Sequence, residues 1–188
     1  MDGCVGPIKG SASPHRSRLA ELGQRRRRRT NAQQKVGYFA YGSNMFLPRL
    51  QQLAKSARPV KAISIRGYVI KFNKLGDDGS AKCNIVHTGK DEDTVAGVVF
   101  EMTVEDMAKL DSVKEGYERI VLTLNGPNGQ VSLLTYVATG EKTAEGIQPF
   151  TSYKNHVLVG AKMFKLPQAY IDSVIVPVKA KEAPAPTE

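Results

Sequence analysis

The apolar residues of this 188-residue chain come in strand-length runs, and that limits most tightly what it can fold into. "VGYFAYGSN", "KCNIVHT", "TVAGVVFEM", "YERIVLTLN" and "VSLLTYVAT" are rich in β-branched or aromatic residues and are bounded by turn chemistry. "VKAISIRGYVIKFN" alternates and reads as one or two strands, with Gly67 marking a bulge. "KLGDDGSAK" is a loop turning at Asp78-Gly79, and "GPNGQ" joins two strands as a hairpin. No run approaches the roughly 20 residues that span a bilayer.

Helical spacing is confined to a few segments. Phe46, Leu47, Leu50, Leu53 and Ala54 predict a helix within residues 45–57, with Pro48 in its first turn. "TVEDMAKLDSV" predicts another, capped by Thr103 with Asp106 three residues on. Residues 151–165 read as helical through Ala161, and Pro167 starts a last helix. Many short strands in hairpin-like order, without regular βαβ alternation, predict an α+β domain. Its mixed, mainly antiparallel sheet is expected to close into a small barrel flanked by helices. The domain is expected over residues 36–178, with a disordered basic arm over 1–35 and a polar tail over 179–188.

The net charge of +9 invites a nucleic-acid reading, but its location argues against one. Residues 1–36 hold nine basic and two acidic residues, so they carry +7 and leave +2 for the rest. Arg25 to Arg29 form a block that reads as a solvated tail, a localisation signal or an anion-binding arm. Any nucleic-acid binding is expected through that arm. Two cysteines, Cys4 and Cys83, are too few for a disulfide framework and point to a reducing, cytoplasmic setting. They form no Cys-x-x-Cys or Cys/His cluster, so no metal is expected. The phosphate-binding glycine patterns and the Gly-x-Ser-x-Gly elbow are absent too, so no nucleotide cofactor is expected.

Two features carry chemistry. Tyr41-Gly42-Ser43-Asn44 ends the first strand in small or polar residues, and a helix follows, so the turn amides can face a ligand. Glu115, before Gly116, sits where a helix gives way to a strand. From spacing alone it is either a solvated charge or a buried carboxylate with a raised pKa suited to proton transfer.

Four segments in order resemble the gamma-glutamyl cyclotransferase family: "YFAYGSNM", "FNKLGDDGSAKCNI", "VAGVVFEMTVEDMAKLD" and "YKNHVLVGAKMFKLPQAYI". The resemblance covers roughly residues 36–176. It implies that Tyr41, Gly42, Ser43 and Asn44 cradle the glutamyl end of a small-molecule substrate. Tyr117 and Tyr153 match tyrosines near the substrate, and Glu115 is the acid/base. The family pattern is Leu-Asp-x-x-Glu-Gly, whereas here three residues separate Leu110-Asp111 from Glu115-Gly116 and Tyr117 follows at once. Glu115 is the best match, with Glu118 the alternative. The implied reaction turns gamma-glutamyl amino acids into 5-oxoproline and a free amino acid without a cofactor. The rival readings are cyclisation of gamma-glutamylamines and a non-catalytic binding module on the same fold.

Overall fold

The computed structural model describes residues 34–126 and 129–185. The basic arm, except its last two residues, and Pro127-Asn128 of the hairpin turn lie outside the described residues.

Strand β1 (Lys35–Ala40) enters the interior as its residues become apolar; Phe39 and Ala40 are buried. A 3-10 turn (Ser43–Met45) leads into helix α1 (Leu47–Leu53). This helix is shorter than residues 45–57 because Phe46 is extended and separates it from the 3-10 turn. Then come β2 (Arg58–Arg66), β3 (Tyr68–Leu75), β4 (Ala81–His87) and β5 (Thr94–Thr103). Helix α2 (Val104–Asp111) is capped as its sequence predicts, with the Asp106 N–H donating to Thr103 Oγ1 at 3.2 Å. Strands β6 (Tyr117–Gly126) and β7 (Gly129–Ala138) form the hairpin.

Helix α3 (Thr151–Met163) runs two residues past Ala161. A short turn, α4 (Gln168–Tyr170), passes into a π-helical turn (Ile171–Ile175) that buries Ile171 and Ile175. Among the described residues no helix is long and apolar enough to cross a membrane.

The principal sheet has the order β2-β5-β1-β7-β6. β1 runs antiparallel to β5, from Lys35 opposite Thr103 to Ala40 opposite Val98, and parallel to β7 at Tyr38 and Leu134. The expected barrel does not close. β3 and β4 form a separate two-stranded sheet. The physical cause lies at Gly67, whose φ of +79° turns the chain out of β2, while its N–H bonds the Asp93 carbonyl instead of a strand partner. A side chain bridges the small sheet to the large one: Asn84 Oδ1 accepts the Ala138 N–H at 2.8 Å.

The core gathers Phe39, Phe100, Met45, Leu50, Met107 and Leu110 between the strands and helices. Each fully buried side chain of this size contributes about 1.5–3 kcal/mol. Two contacts fix helix α3 in place. Gly160 lets α3 press onto the turn after β1, since a Cβ there would lie 2.6 Å from the Met45 carbonyl carbon. Downstream, Lys181 ties residues of the expected tail to the start of α3, accepting the Thr151 N–H at 2.9 Å.

Candidate functional site

The turn after β1 faces the middle of β4. Gly42 has a negative φ of −119°, and its missing side chain is what lets the turn approach β4 closely. A Cβ would come within 3.0 Å of Cys83 Cβ and 3.4 Å of Tyr153 Oη. Two phenols hold the Cys83 residue in place. Its N–H donates to Tyr153 Oη at 2.9 Å, and its carbonyl accepts from Tyr117 Oη at 2.7 Å. Tyr41, expected in the cradle, serves as a wall and donates to the Tyr136 carbonyl at 2.5 Å. Asn44 Nδ2 donates to Tyr38 Oη at 3.0 Å, and both side chains are buried.

These groups enclose a notch of about 30 Å³, lined by the Tyr41–Asn44 turn, Tyr38, Cys83, Lys114, Tyr117, Tyr136 and Tyr153. That is about the volume of one water, so it admits one small polar group of a ligand. It adjoins an outer chamber of about 340 Å³, and Ser43, Lys114, Tyr117 and Tyr153 line both. Of the seven expected site residues, Tyr41, Gly42, Ser43, Asn44, Tyr117 and Tyr153 line the notch.

Glu115 lies elsewhere. Its side chain is 68% exposed at the rim of the outer chamber, where it meets Lys142 Nζ at 3.3 Å. The apolar surroundings expected for it are absent. Glu118 is exposed on β6 and lines neither cavity.

The ionisable group that does enter the notch is Lys114, which its sequence context does not single out. Its ammonium stands over the rings of Tyr117 and Tyr136, 5.5 and 5.4 Å from their centroids. Among the described residues no carboxylate lies within 4.0 Å of it. Burial pushes its pKa down to about 8, helped by repulsion from Arg49. Burial also pushes the Cys83 thiol up to about 12, which keeps it protonated, and raises the Tyr117 and Tyr153 phenols.

The local backbone explains the positions of Lys114 and Glu115. After α2, Lys114 N–H bonds the Asp111 carbonyl and Tyr117 N–H bonds that of Lys114, which closes a tight turn. Gly116, at φ of +71°, allows it. One residue of difference within this turn sends Lys114 inward and Glu115 outward. A signal was available: counting two residues beyond Leu110-Asp111, as the Leu-Asp-x-x-Glu pattern does, arrives at Lys114.

His156, a lone histidine with no catalytic partner in the sequence, stacks on Phe46 at 5.4 Å; burial first and Arg49 second lower its pKa.

Residues 94–174 match the model of the AIG2-like family. Among curated proteins, none matches the chain in sequence. Solved structures share its fold, among them the following three. One, titled "Gamma-glutamyl cyclotransferase", is 23% identical with a TM-score of 0.69 and covers 82% of this chain and 94% of its own. An uncharacterized protein from Homo sapiens is 23% identical at a TM-score of 0.68, with the same coverage of 82% and 94%. YkqA from Bacillus subtilis is 18% identical at a TM-score of 0.62, covering 81% of this chain and 58% of its own. The chain thus carries an AIG2-like family match over residues 94–174 and shares its fold with these structures.

Proposed function

We propose that the chain is a gamma-glutamyl cyclotransferase whose proton-moving group is Lys114 and not Glu115. A gamma-glutamyl compound sets its α-carboxylate into the notch, with its α-ammonium where the notch meets the outer chamber beside Lys114. The amides of the Tyr41–Asn44 turn, approached closely at Gly42, receive the α-carboxylate. Neutral Lys114 takes a proton from the α-ammonium. The freed amine then attacks the γ-carbonyl carbon of the same molecule. A C–N bond forms to close the five-membered lactam, and Lys114 returns its proton to the departing nitrogen as the original γ-amide C–N bond breaks. The again neutral Lys114 carries the second proton of the attacking nitrogen to the departing amine, which leaves as an ammonium. The products are 5-oxoproline and that amine.

Both reacting groups belong to one substrate, so holding it curled supplies much of the acceleration. A base with a pKa near working pH suits both proton transfers. The observation that carries the reading is the pairing of the glycine-bounded turn with a single, uncompensated amine in a notch sized for one polar group.

The test is 5-oxoproline formation from gamma-glutamyl-alanine, followed by mass spectrometry in the wild type, Lys114→Met and Glu115→Gln. Loss in Lys114→Met with retention in Glu115→Gln supports the assignment. The opposite pattern returns the role to Glu115.

A second reading is favoured by the lack of any carboxylate among the residues lining the notch. On it the domain binds gamma-glutamyl compounds without turning them over. Saturable binding with no product in the wild type would select it.

A further inference from the structure

Beyond the notch, the outer chamber is lined by four cations, Arg49, Lys74, Lys82 and Lys114, and three carboxylates, Asp77, Asp78 and Glu115. Two of the carboxylates are already engaged. Lys82 Nζ holds Asp78 at 2.7 Å, and Glu115 meets Lys142. Arg49, Lys74 and Lys114 remain against Asp77 alone, and among the described residues none of the three has a carboxylate within 4.0 Å.

Lys74 is the most unusual of them. The residue is only 4% exposed. Among the described residues its ammonium has no hydrogen-bond acceptor, and it stands over the Tyr117 ring, 5.2 Å from the centroid. Burial lowers its pKa, opposed chiefly by Asp77. Its stem is buried while its ammonium faces the chamber without a hydrogen-bonded or salt-bridged anion, so its charge is poorly compensated.

The chain makes room for it all the same. The β3–β4 register shifts between Phe72 and Lys74, which leaves neighbouring Asn73 and Lys74 both buried where a regular strand would alternate. Gly116 lets the stem lie flat, because a Cβ there would come within 3.0 Å of Lys74 Cε. An apolar side chain would fill this place at less cost. The arrangement is one that an incoming anion completes.

We propose that the outer chamber is the subsite for the departing half of the substrate, and that Lys74, with Arg49, selects departing groups that carry carboxylates. This rests on the glutamyl reading of the notch. It ranks gamma-glutamyl conjugates of acidic amino acids above those of neutral amino acids, and both above conjugates of uncharged amines.

The test is calorimetric binding of three probes: gamma-glutamyl-alaninamide, gamma-glutamyl-alanine and gamma-glutamyl-glutamate. Their departing halves carry no, one and two carboxylates. The Lys114→Met background prevents turnover if the wild type consumes them. Affinity is expected to rise about tenfold with each carboxylate, the scale of a hydrogen bond to a charged group. Lys74→Met is expected to flatten the series while leaving alaninamide binding within about twofold. Arg49→Gln changes an exposed residue and guards against a folding defect in Lys74→Met; it is expected to reduce the step between alanine and glutamate.

Equal affinity for all three probes would overturn the subsite and leave the glutamyl notch standing, as would a gradient that survives both substitutions. Binding of none of the three would overturn the glutamyl reading and the subsite together.

Discussion

At the N-terminal end of α2 the polar side chains are paired. Asp106, nearly buried, accepts the Ser56 N–H at 2.7 Å and the Ser56 hydroxyl at 2.6 Å, and Lys109 lies 2.9 Å away. Thr103 caps the helix, and its own N–H donates to Ser56 Oγ at 3.0 Å. Just beyond the C-terminal end, Lys114 enters a ring of tyrosines with no anion beside it. One short helix thus links a satisfied cluster to an unsatisfied one. The first is what a fold needs to hold α2 against β5 and the segment before β2. The second costs stability, and such local violations mark places where a ligand is meant to complete the set.

Substitutions at the two ends are expected to separate stability from activity. The largest effect belongs to Lys114→Met, which is expected to cut 5-oxoproline formation by about 10²- to 10⁴-fold, the usual weight of a general acid–base group. The same variant is expected to melt at a higher temperature near pH 7, because it removes a buried charge. The sign is set by the lowered folded pKa. Below about pH 8 Lys114 is charged folded or unfolded, so its penalty is fully present. The penalty fades as pH rises from there toward the ordinary lysine value near 10.4. Wild-type stability should therefore gain over that interval and the variant should lack the gain. Wild-type kcat/KM should climb as pH rises toward about 8, as Lys114 becomes neutral in the presence of Arg49, Lys74, Cys83, Tyr117 and Tyr136.

Next is Asp106→Ala. It strands the Ser56 donors and is expected to cost about 1–3 kcal/mol in urea or thermal unfolding, with binding at the notch preserved. Burial pulls the Asp106 pKa up, but the Ser56 and Lys109 contacts outweigh it and hold the group below the usual carboxylate range. Its stabilisation is therefore present above about pH 4 and lost as pH falls through the folded value, which an acid titration of wild type against variant would show. Thr103→Ala is expected to cost about 1 kcal/mol by the same measurement. Glu115→Gln is expected to be the mildest, within about 0.5 kcal/mol, since it changes one exposed ion pair.

The same contrast explains what the sequence made legible. Thr103 with Asp106 announced the N-terminal cap because capping is local and depends on residue type at fixed spacing. The strands were readable from alternation and turn residues for the same reason. Gly42 was legible as a place of close approach. The failure of the barrel to close was not, since it depends on how Gly67 redirects the chain and on side-chain contacts across the sheets at Asn84 and Tyr117. The entry of Lys114 into the notch was hidden because charge and burial conflict: a lysine just past a helix end reads as solvent-facing, and its neighbour Glu115 offered the expected carboxylate. Lys74 was hidden for a related reason. In "KFNKLG" it reads as a solvent-facing strand residue, and only the register shift after Phe72 reveals otherwise.

The grip on Cys83 has a consequence for how the notch responds to a ligand. Tyr117 begins β6 and Tyr153 lies in α3, yet they hold opposite faces of the same residue. Both walls are therefore anchored on one residue of β4, so a ligand that moves Cys83 is felt by β6 and α3 together. The amide proton of Cys83 is a natural gauge of that anchor: its exchange with deuterated solvent should slow when a ligand is seated and quicken in Tyr153→Phe, which removes its acceptor.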